Sequence, residues 1–346
     1  MSAPYCGETL VKIGEYYRDN ILGYVSIPIC CVGMITNLIN IVVFARKPMT
    51  SPPNLIFAHL AFVDLLVLLA RVPFIWTWYI QDYRVIGRSY VWTLFQRYND
   101  EVIVTFQFVS IFLTVMLAVW RYIAIVHPLK ERHWCNTKRT RNVVIAGYIL
   151  CFVLFTVPSY MSREIKTVIY QDAPYHYIDI NERSPIQDSI VLFINGIVIR
   201  LVPSIMLTVL TLRLVCTLLS RKPHREQLTS SASVRSDMKN VKMRQQTNKS
   251  TTILLIVVAL FILAEFPKGM LSLMRSVYEY ESPQCFSLTE IFYTVSDINS
   301  TITLLVYYSL SQQFRTTFKS LFHRKHTPVT LGDVEDDETA TKTDEV

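Results

Sequence analysis

The chain has 346 residues, 51% of them hydrophobic, and a mean hydropathy of +0.31, too apolar for a soluble protein of this length. Its formal net charge of +7 does not make it a nucleic-acid binder, because the basic residues flank apolar runs instead of forming one folded basic face. No His-Glu-x-x-His element, Gly-rich phosphate loop or pair of intramembrane aspartates is present, which argues against an enzyme.

Residues 1–23 carry Glu8, Lys12, Glu15, Arg18 and Asp19 and no apolar core with a small-residue cleavage site, so they read as an extracellular N-terminus, not a removable signal. A helix needs about 20 apolar residues to cross roughly 30 Å of hydrocarbon. Runs of that kind lie near 24–45, 55–80, 100–126, 142–161, 189–219, 250–276 and 287–309. The expected fold is therefore an all-α membrane protein, a seven-transmembrane helix bundle over 24–309. Arg46 and Lys47, then Lys130, Arg132, Lys138, Arg139 and Arg141, then the basic stretch from Arg221 to Lys249, alternate onto one side. The positive-inside rule makes that side cytoplasmic. Outward segments are rich in acids, among them Asp100, Glu101 and Glu290, which read as a rim that steers a cationic ligand or is simply solvated.

Beyond the last span, Phe314, Phe318, Leu321 and Phe322 recur at helical spacing and predict a short amphipathic helix over 310–323, lying on membrane lipid. Residues 324–346 form a cytoplasmic tail whose threonines stand among acids, a setting for phosphorylation and an arrestin-type partner. Five cysteines fall in spans or a cytoplasmic loop and read as free thiols. Cys6 and Cys285 face the oxidising side, where one disulfide would tie the N-terminal tail to the loop before the last span; two free thiols are the alternative.

Polar and ionisable residues inside spans are expensive in lipid and mark function. Asp64, Asn37 and Asn299-Ser300-Thr301 are such residues, and Pro73, Pro158, Pro203 and Pro267 free backbone carbonyls and allow bends. Arg71, Arg200, Glu265, Lys268 and Asp297 fall in the outer halves of their spans and are expected to face an internal cavity. Arg121, ending the third span just before His127-Pro128, belongs at the water boundary, where it can act as a switch.

In this order, Asn37, Leu60-Ala61-x-x-Asp64, Arg121-Tyr122 with His127-Pro128-Leu129, Pro203, Phe266-Pro267, Tyr307 and the amphipathic Phe314–Lys319 segment resemble the rhodopsin-like G-protein-coupled receptors over about residues 20–322. Ala118–Ala124, His127–Asn136 and Glu265-Phe266-Pro267-Lys268-Gly269 are similar to the invertebrate myosuppressin and FMRFamide-like peptide receptors. The resemblance implies a plasma-membrane receptor for an amidated neuropeptide ending in Arg-Phe, coupled to a heterotrimeric G protein of the inhibitory class. Span six would swing outward about Pro267, with Arg121, Tyr122 and Tyr307 at the G-protein switch. Arg200 is expected to approach Glu265, and Arg71 to approach Asp297; one carboxylate of these pairs would take the ligand's guanidinium, with Asp100 and Glu101 as competitors for that role. Asp64, Ser110, Asn299 and Thr303 resemble the family's allosteric sodium site, a water-filled polar cluster being the other reading. A polytopic transporter or channel stands as the alternative function.

The chain departs from the broad family at several points. Trp120 stands where an aspartate usually restrains the arginine, Gln96 where a disulfide cysteine usually begins span three, and Thr303-Leu304 where Asn-Pro usually precedes the span-seven tyrosine. The missing acidic neighbour of Arg121 leads to an expectation of raised basal signalling.

Overall fold

The computed structural model describes residues 8–80, 89–161, 163–170, 173–180, 190, 193–228, 256, 258–274 and 283–322. Helix starts follow the capping chemistry of the sequence. Ser51 accepts from the Asn54 amide at 3.4 Å and opens α3 (Pro52–Ile75) with prolines in its first turn. Ser89 accepts from the Trp92 amide at 3.3 Å and opens α4 (Tyr90–Val126), and Asn136 accepts from the Arg139 amide at 2.8 Å at the head of α6 (Thr137–Cys151). Upstream lie α1 (Glu8–Asn20) and α2 (Leu22–Phe44), and the short α5 (Pro128–Trp134) joins α4 to α6.

Three of the span prolines, Pro73, Pro158 and Pro203, stand beside π-helical turns, whereas Pro28 and Pro267 lie in regular α-helix. Pro158 has no N–H for the carbonyl four residues back, and the turn before it is π-helical (Phe152–Thr156), leading into α7 (Val157–Met161). Pro203 follows a π-helical segment at Asn195–Leu201 that runs into α8 (Val202–Leu228). Beyond Pro73 the chain passes into a π turn at Trp76–Ile80, and the Thr77 hydroxyl donates to the Pro73 carbonyl at 2.7 Å. The remaining helices are α9 (258–274), α10 (Pro283–Leu310) and α11 (Gln312–Phe322).

Five of the described helical segments are long and apolar enough to cross a membrane: Leu22–Phe44, Pro52–Ile75, Tyr90–Val126, Thr137–Met161 and Gly196–Leu214. The sixth span of the bundle is α9 and the seventh is α10, whose Glu290, Asp297, Asn299 and neighbouring hydroxyls dilute its hydropathy. Within lipid, helices associate through close packing and polar contacts, not through escape from water. Gly147 shows this, since a Cβ there would lie 2.1 Å from the Phe112 ring. Gly196 likewise sets the 195–201 segment against α9, with the Gly269 carbonyl 3.0 Å from where its Cβ would be. A core of Phe57, Leu60, Leu113, Leu117, Phe261 and Tyr307 fills the half of the bundle that holds Arg121, closed from below by the buried Phe314 of α11.

Three features differ from the expectation. The third span begins ten residues before the apolar run at 100, because Thr93, Gln96 and Asn99 point inward and are buried, which a hydropathy scan cannot see. Residues 8–20 of the N-terminal segment form α1, which packs on α10, with the Tyr17 hydroxyl donating to Thr294 Oγ1 at 2.8 Å. An antiparallel hairpin, β1 (Arg163–Tyr170) with β2 (Ala173–Ile180), follows α7 in register from Arg163 opposite Ile180 to Tyr170 opposite Ala173.

Candidate functional site

Helix α3, the π-helical segment Asn195–Leu201, α9 and α10 bring a set of charged side chains together in the half of the bundle nearest α1. Arg71, Lys268, Glu290 and Asp297 are each no more than 2% exposed. Such burial is tolerable only if every charge has an opposite partner. On α3, Arg71 has its Nε 3.4 Å from Asp297 Oδ2 and its Nη2 3.5 Å from Glu290 Oε2, both on α10. Its guanidinium also lies 5.3 Å from the Phe74 ring and 5.2 Å from the Tyr293 ring. On α9, Glu265 accepts from Arg200 Nη1, from Lys268 Nζ one turn on, and from Ser296 Oγ of α10 at 3.0 Å. Lys268 Nζ donates to Ser296 Oγ at 2.6 Å and lies 4.9 Å from the Tyr293 ring, so that ring stands between both groups.

The pairs Arg200 with Glu265 and Arg71 with Asp297 are thus brought together. Sequence reading missed how they continue. Glu290 belongs to the buried cluster, not to the outer rim, and Lys268 shares Glu265 with Arg200. The signal was available: Glu290 precedes Asp297 by two helical turns, and Glu265 and Lys268 stand at i, i+3, so each pair shares a helix face. With three cations (Arg71, Arg200, Lys268) against three carboxylates (Glu265, Glu290, Asp297), the cluster is neutral as a whole but uneven. Two cations converge on Glu265, whereas Glu290 and Asp297 share one guanidinium at distances too long for good hydrogen bonds.

Glu101 is also buried, and accepts from Ser159 of α7 at 3.1 Å; this corrects its placement on a solvated rim. Asp100, its neighbour, is half-buried. These two are not part of the six-charge cluster.

A cavity of about 50 Å3 runs beneath the cluster, lined by Asp64, Ser110, Asn299, Ser300 and Thr303 at one end and by Glu265, Ser296 and Asp297 at the other. At about 10–15 Å3 per water it has room for a few waters or a small cation, and not for a peptide side chain with its backbone. Ser110 Oγ donates to Asp64 Oδ1 at 3.1 Å, and Thr303 Oγ1 donates to the Asn299 carbonyl at 3.0 Å. No ion-pair partner of Asp64 is found among the described residues. One carboxylate with hydroxyl, amide and carbonyl oxygens is a donor set that fits a hard monovalent cation.

At the other end of the bundle, Trp120 turns its indole Nε1 toward Thr140 Oγ1 on α6, 3.0 Å away, and so packs α4 against α6. Arg121 has Tyr307 and Glu131 of α5 as its electrostatic neighbours, and no ion pair of Arg121 is found among the described residues. The Tyr307 ring is wedged against Phe44, Phe57 and Phe314, with its hydroxyl buried and unpartnered among the described residues. Tyr122 packs edge-on to His127 with ring centroids 6.2 Å apart. Pro267 lies half-buried on α9 between Glu265 and Lys268. Burial raises the thiol pKa of Cys135, between α5 and α6, and makes it a poor nucleophile. Cys6 lies outside the described residues, as does the side chain of Cys285 in the first turn of α10, and the disulfide expectation with them.

Seven spans, a polar core and an arginine near the end of the third span define a G-protein-coupled receptor. Residues 24–325 match the family of serpentine type 7TM GPCR chemoreceptors, Srw, and the chain belongs to it. Among curated relatives it is 25% identical over 327 residues to the sex peptide receptor of Drosophila melanogaster, covering 88% of this chain and 73% of that one. It is 22% identical over 359 residues to the G-protein coupled receptor dmsr-1 of Caenorhabditis elegans, covering 91% and 70%. With the FMRFamide receptor of Drosophila melanogaster the identity is 24% over 306 residues, covering 85% and 52%. The protein is a multi-pass membrane receptor and not an enzyme, and the transporter or channel alternative is disfavoured.

Proposed function

We propose that the chain is a plasma-membrane receptor for an amidated neuropeptide of the FMRFamide or myosuppressin kind, with its N-terminus outside. The observation that carries this reading is the uneven buried charge cluster between α3, α9 and α10. Its Arg71–Glu290–Asp297 side holds one more carboxylate than cation, and the small cavity that Asp297 borders has to widen before a peptide side chain reaches it. An incoming guanidinium can pair with Asp297 while Glu290 keeps Arg71, so no buried charge is stranded at any stage. Glu265, already holding three donors, has less to offer a ligand. Relatives named for FMRFamide and for sex peptide support peptide reception. Coupling runs to a heterotrimeric G protein of the inhibitory class. The ligand acts by binding more tightly to the state in which α9 has swung outward about Pro267, and arrestin follows phosphorylation of the tail threonines.

Screening amidated peptides on cells expressing the chain, with second-messenger readout, tests this. An Arg-Phe-amide peptide should activate, and its Arg-to-citrulline analogue, neutral and nearly isosteric, should lose about 30-fold or more in potency, the scale of one charge-assisted pair. Equal potency of the two peptides would sink the carboxylate assignment. Silence across the amidated set would sink the ligand class.

Asp64, with Ser110, Asn299 and Thr303, is proposed to hold sodium in the resting state. Agonist affinity should fall about fivefold between sodium-free and physiological sodium in the wild type, and stay level in Asp64→Asn, the ordinary scale of a coupling between two sites. A sodium effect that survives Asp64→Asn would rule the site out.

A further inference from the structure

Arg97 sits two turns into α4 and reaches the end of α7 and the start of β1. Its Nη2 donates to the Tyr160 carbonyl at 3.0 Å and to the Arg163 carbonyl at 2.7 Å, and its guanidinium stacks 4.0 Å from the centroid of the Tyr160 ring. One turn earlier, Thr93 Oγ1 shares its hydrogen between the Ser89 carbonyl at the head of α4 and the carbonyl of His176 on β2, each 3.2 Å away, and the Tyr90 ring meets His176 edge-on with centroids 5.6 Å apart. Both strands of the hairpin are therefore held by one face of α4. No covalent tie contributes, since α4 contains no cysteine and none occurs between Cys151 and Cys216.

We propose that Arg97 is a positioning residue, a non-covalent and redox-insensitive clamp that fixes the β1–β2 hairpin to the outer end of α4 and thereby shapes the entrance to the peptide site. Its chemistry suits the task. A guanidinium satisfies two carbonyls at the point where the chain leaves helix for strand and their helical partners run out, while its apolar faces cover an aromatic ring. Both carbonyls belong to backbone that ends α7 or begins β1, so the clamp sets where the hairpin starts; Thr93 then sets its rotation. The same turn of α4 carries Asp100 and Glu101, and Glu101 is tied to Ser159, next to Tyr160. A shift of the hairpin therefore strains the buried Glu101–Ser159 bond as well.

Hydrogen exchange of the full-length receptor in nanodiscs tests the clamp without any ligand. Amides of 163–180 should exchange about tenfold faster in Arg97→Leu than in the wild type, the factor that loss of one charge-assisted bond carries. Arg97→Lys, which keeps the charge and donors, should recover part of that protection, and a thiol reductant should change nothing in the wild type. Unchanged exchange in Arg97→Leu, no recovery by Lys, or loosening of the wild-type hairpin by reductant would each overturn the proposal. If Arg97→Leu does not reach the membrane, Thr93→Val carries the test, with about threefold faster exchange expected and no change overturning it. In cells, with amidated Phe-Met-Arg-Phe as probe, Arg97→Leu should raise the half-maximal concentration while leaving the maximal response intact; a lowered maximum at unchanged half-maximal concentration counts against positioning. The exchange arm decides the clamp whether or not that peptide is an agonist.

Discussion

Replacing Glu265 by Gln should remove most of the receptor from the cell surface and lower the thermal stability of what remains more than any other single change in the charged cluster. Glu265 is the lone carboxylate between Arg200 and Lys268, and Ser296 completes its shell. Losing it strands two buried cations, and a broken buried pair costs about 3–5 kcal/mol, of the order of a domain's whole stability. The opposite changes are milder. Arg200→Gln leaves a one-to-one pair of Glu265 with Lys268, and so does Lys268→Met with Arg200; each should cost about 1–3 kcal/mol in lost hydrogen bonds. The double variant Glu265→Gln, Lys268→Met leaves a single cation and should recover part of the lost surface level, because residues of one network do not add. Flow cytometry on an N-terminal tag and thermal unfolding in detergent measure both quantities. A Glu265→Gln receptor as abundant and as stable as the wild type would mean that the three donors do not converge on this carboxylate.

The chain shows why some of this was legible in the sequence and some was not. Apolar runs of fixed length, prolines and basic loops place the spans, since bilayer thickness and backbone satisfaction leave few alternatives. Charges within spans must find partners, so Arg200 with Glu265 and Arg71 with Asp297 could be anticipated from their depth. Glu290 could not be read so directly, because it stands near the end of its span, where a charge can equally face water. Only its spacing from Asp297 hints that both share a face. The Arg97 clamp was invisible, since its acceptors are backbone carbonyls, which every residue carries and no sequence distinguishes. The hairpin arises from alternation too weak to separate from an irregular loop in Arg163–Ile180.

Trp120→Asp should lower basal signalling about fivefold at equal surface expression. In this conformation Arg121 has no carboxylate within ion-pair distance among the described residues, and its electrostatic neighbours are the Tyr307 hydroxyl and Glu131. Trp120 spends its one polar atom on Thr140, holding α4 to α6, and gives Arg121 nothing that a change of state must break. An aspartate at this position adds an adjacent anion near the water boundary, a partner worth about 1 kcal/mol there, which corresponds to about a fivefold shift of a two-state equilibrium toward the resting form. Trp120→Phe separates the two consequences of the change, because it also loses the bond to Thr140 but adds no carboxylate; it should leave basal signalling at or above the wild-type level. Tyr307→Phe bears on the same equilibrium from the other side. The buried hydroxyl has no partner in this conformation among the described residues, and leaving such a group unpaired costs about 1–3 kcal/mol. Removing it stabilises this conformation, whereas an outward swing of α9 would open the cleft in which that hydroxyl and the Arg121 guanidinium can be hydrated or meet. Tyr307→Phe should therefore also lower basal signalling, and because the two residues are electrostatic neighbours its effect should fall short of adding to that of Trp120→Asp. Second-messenger levels without ligand, normalised to surface receptor, decide between these outcomes. An unchanged or higher basal level in Trp120→Asp would show that Arg121 is restrained by something other than a neighbouring charge.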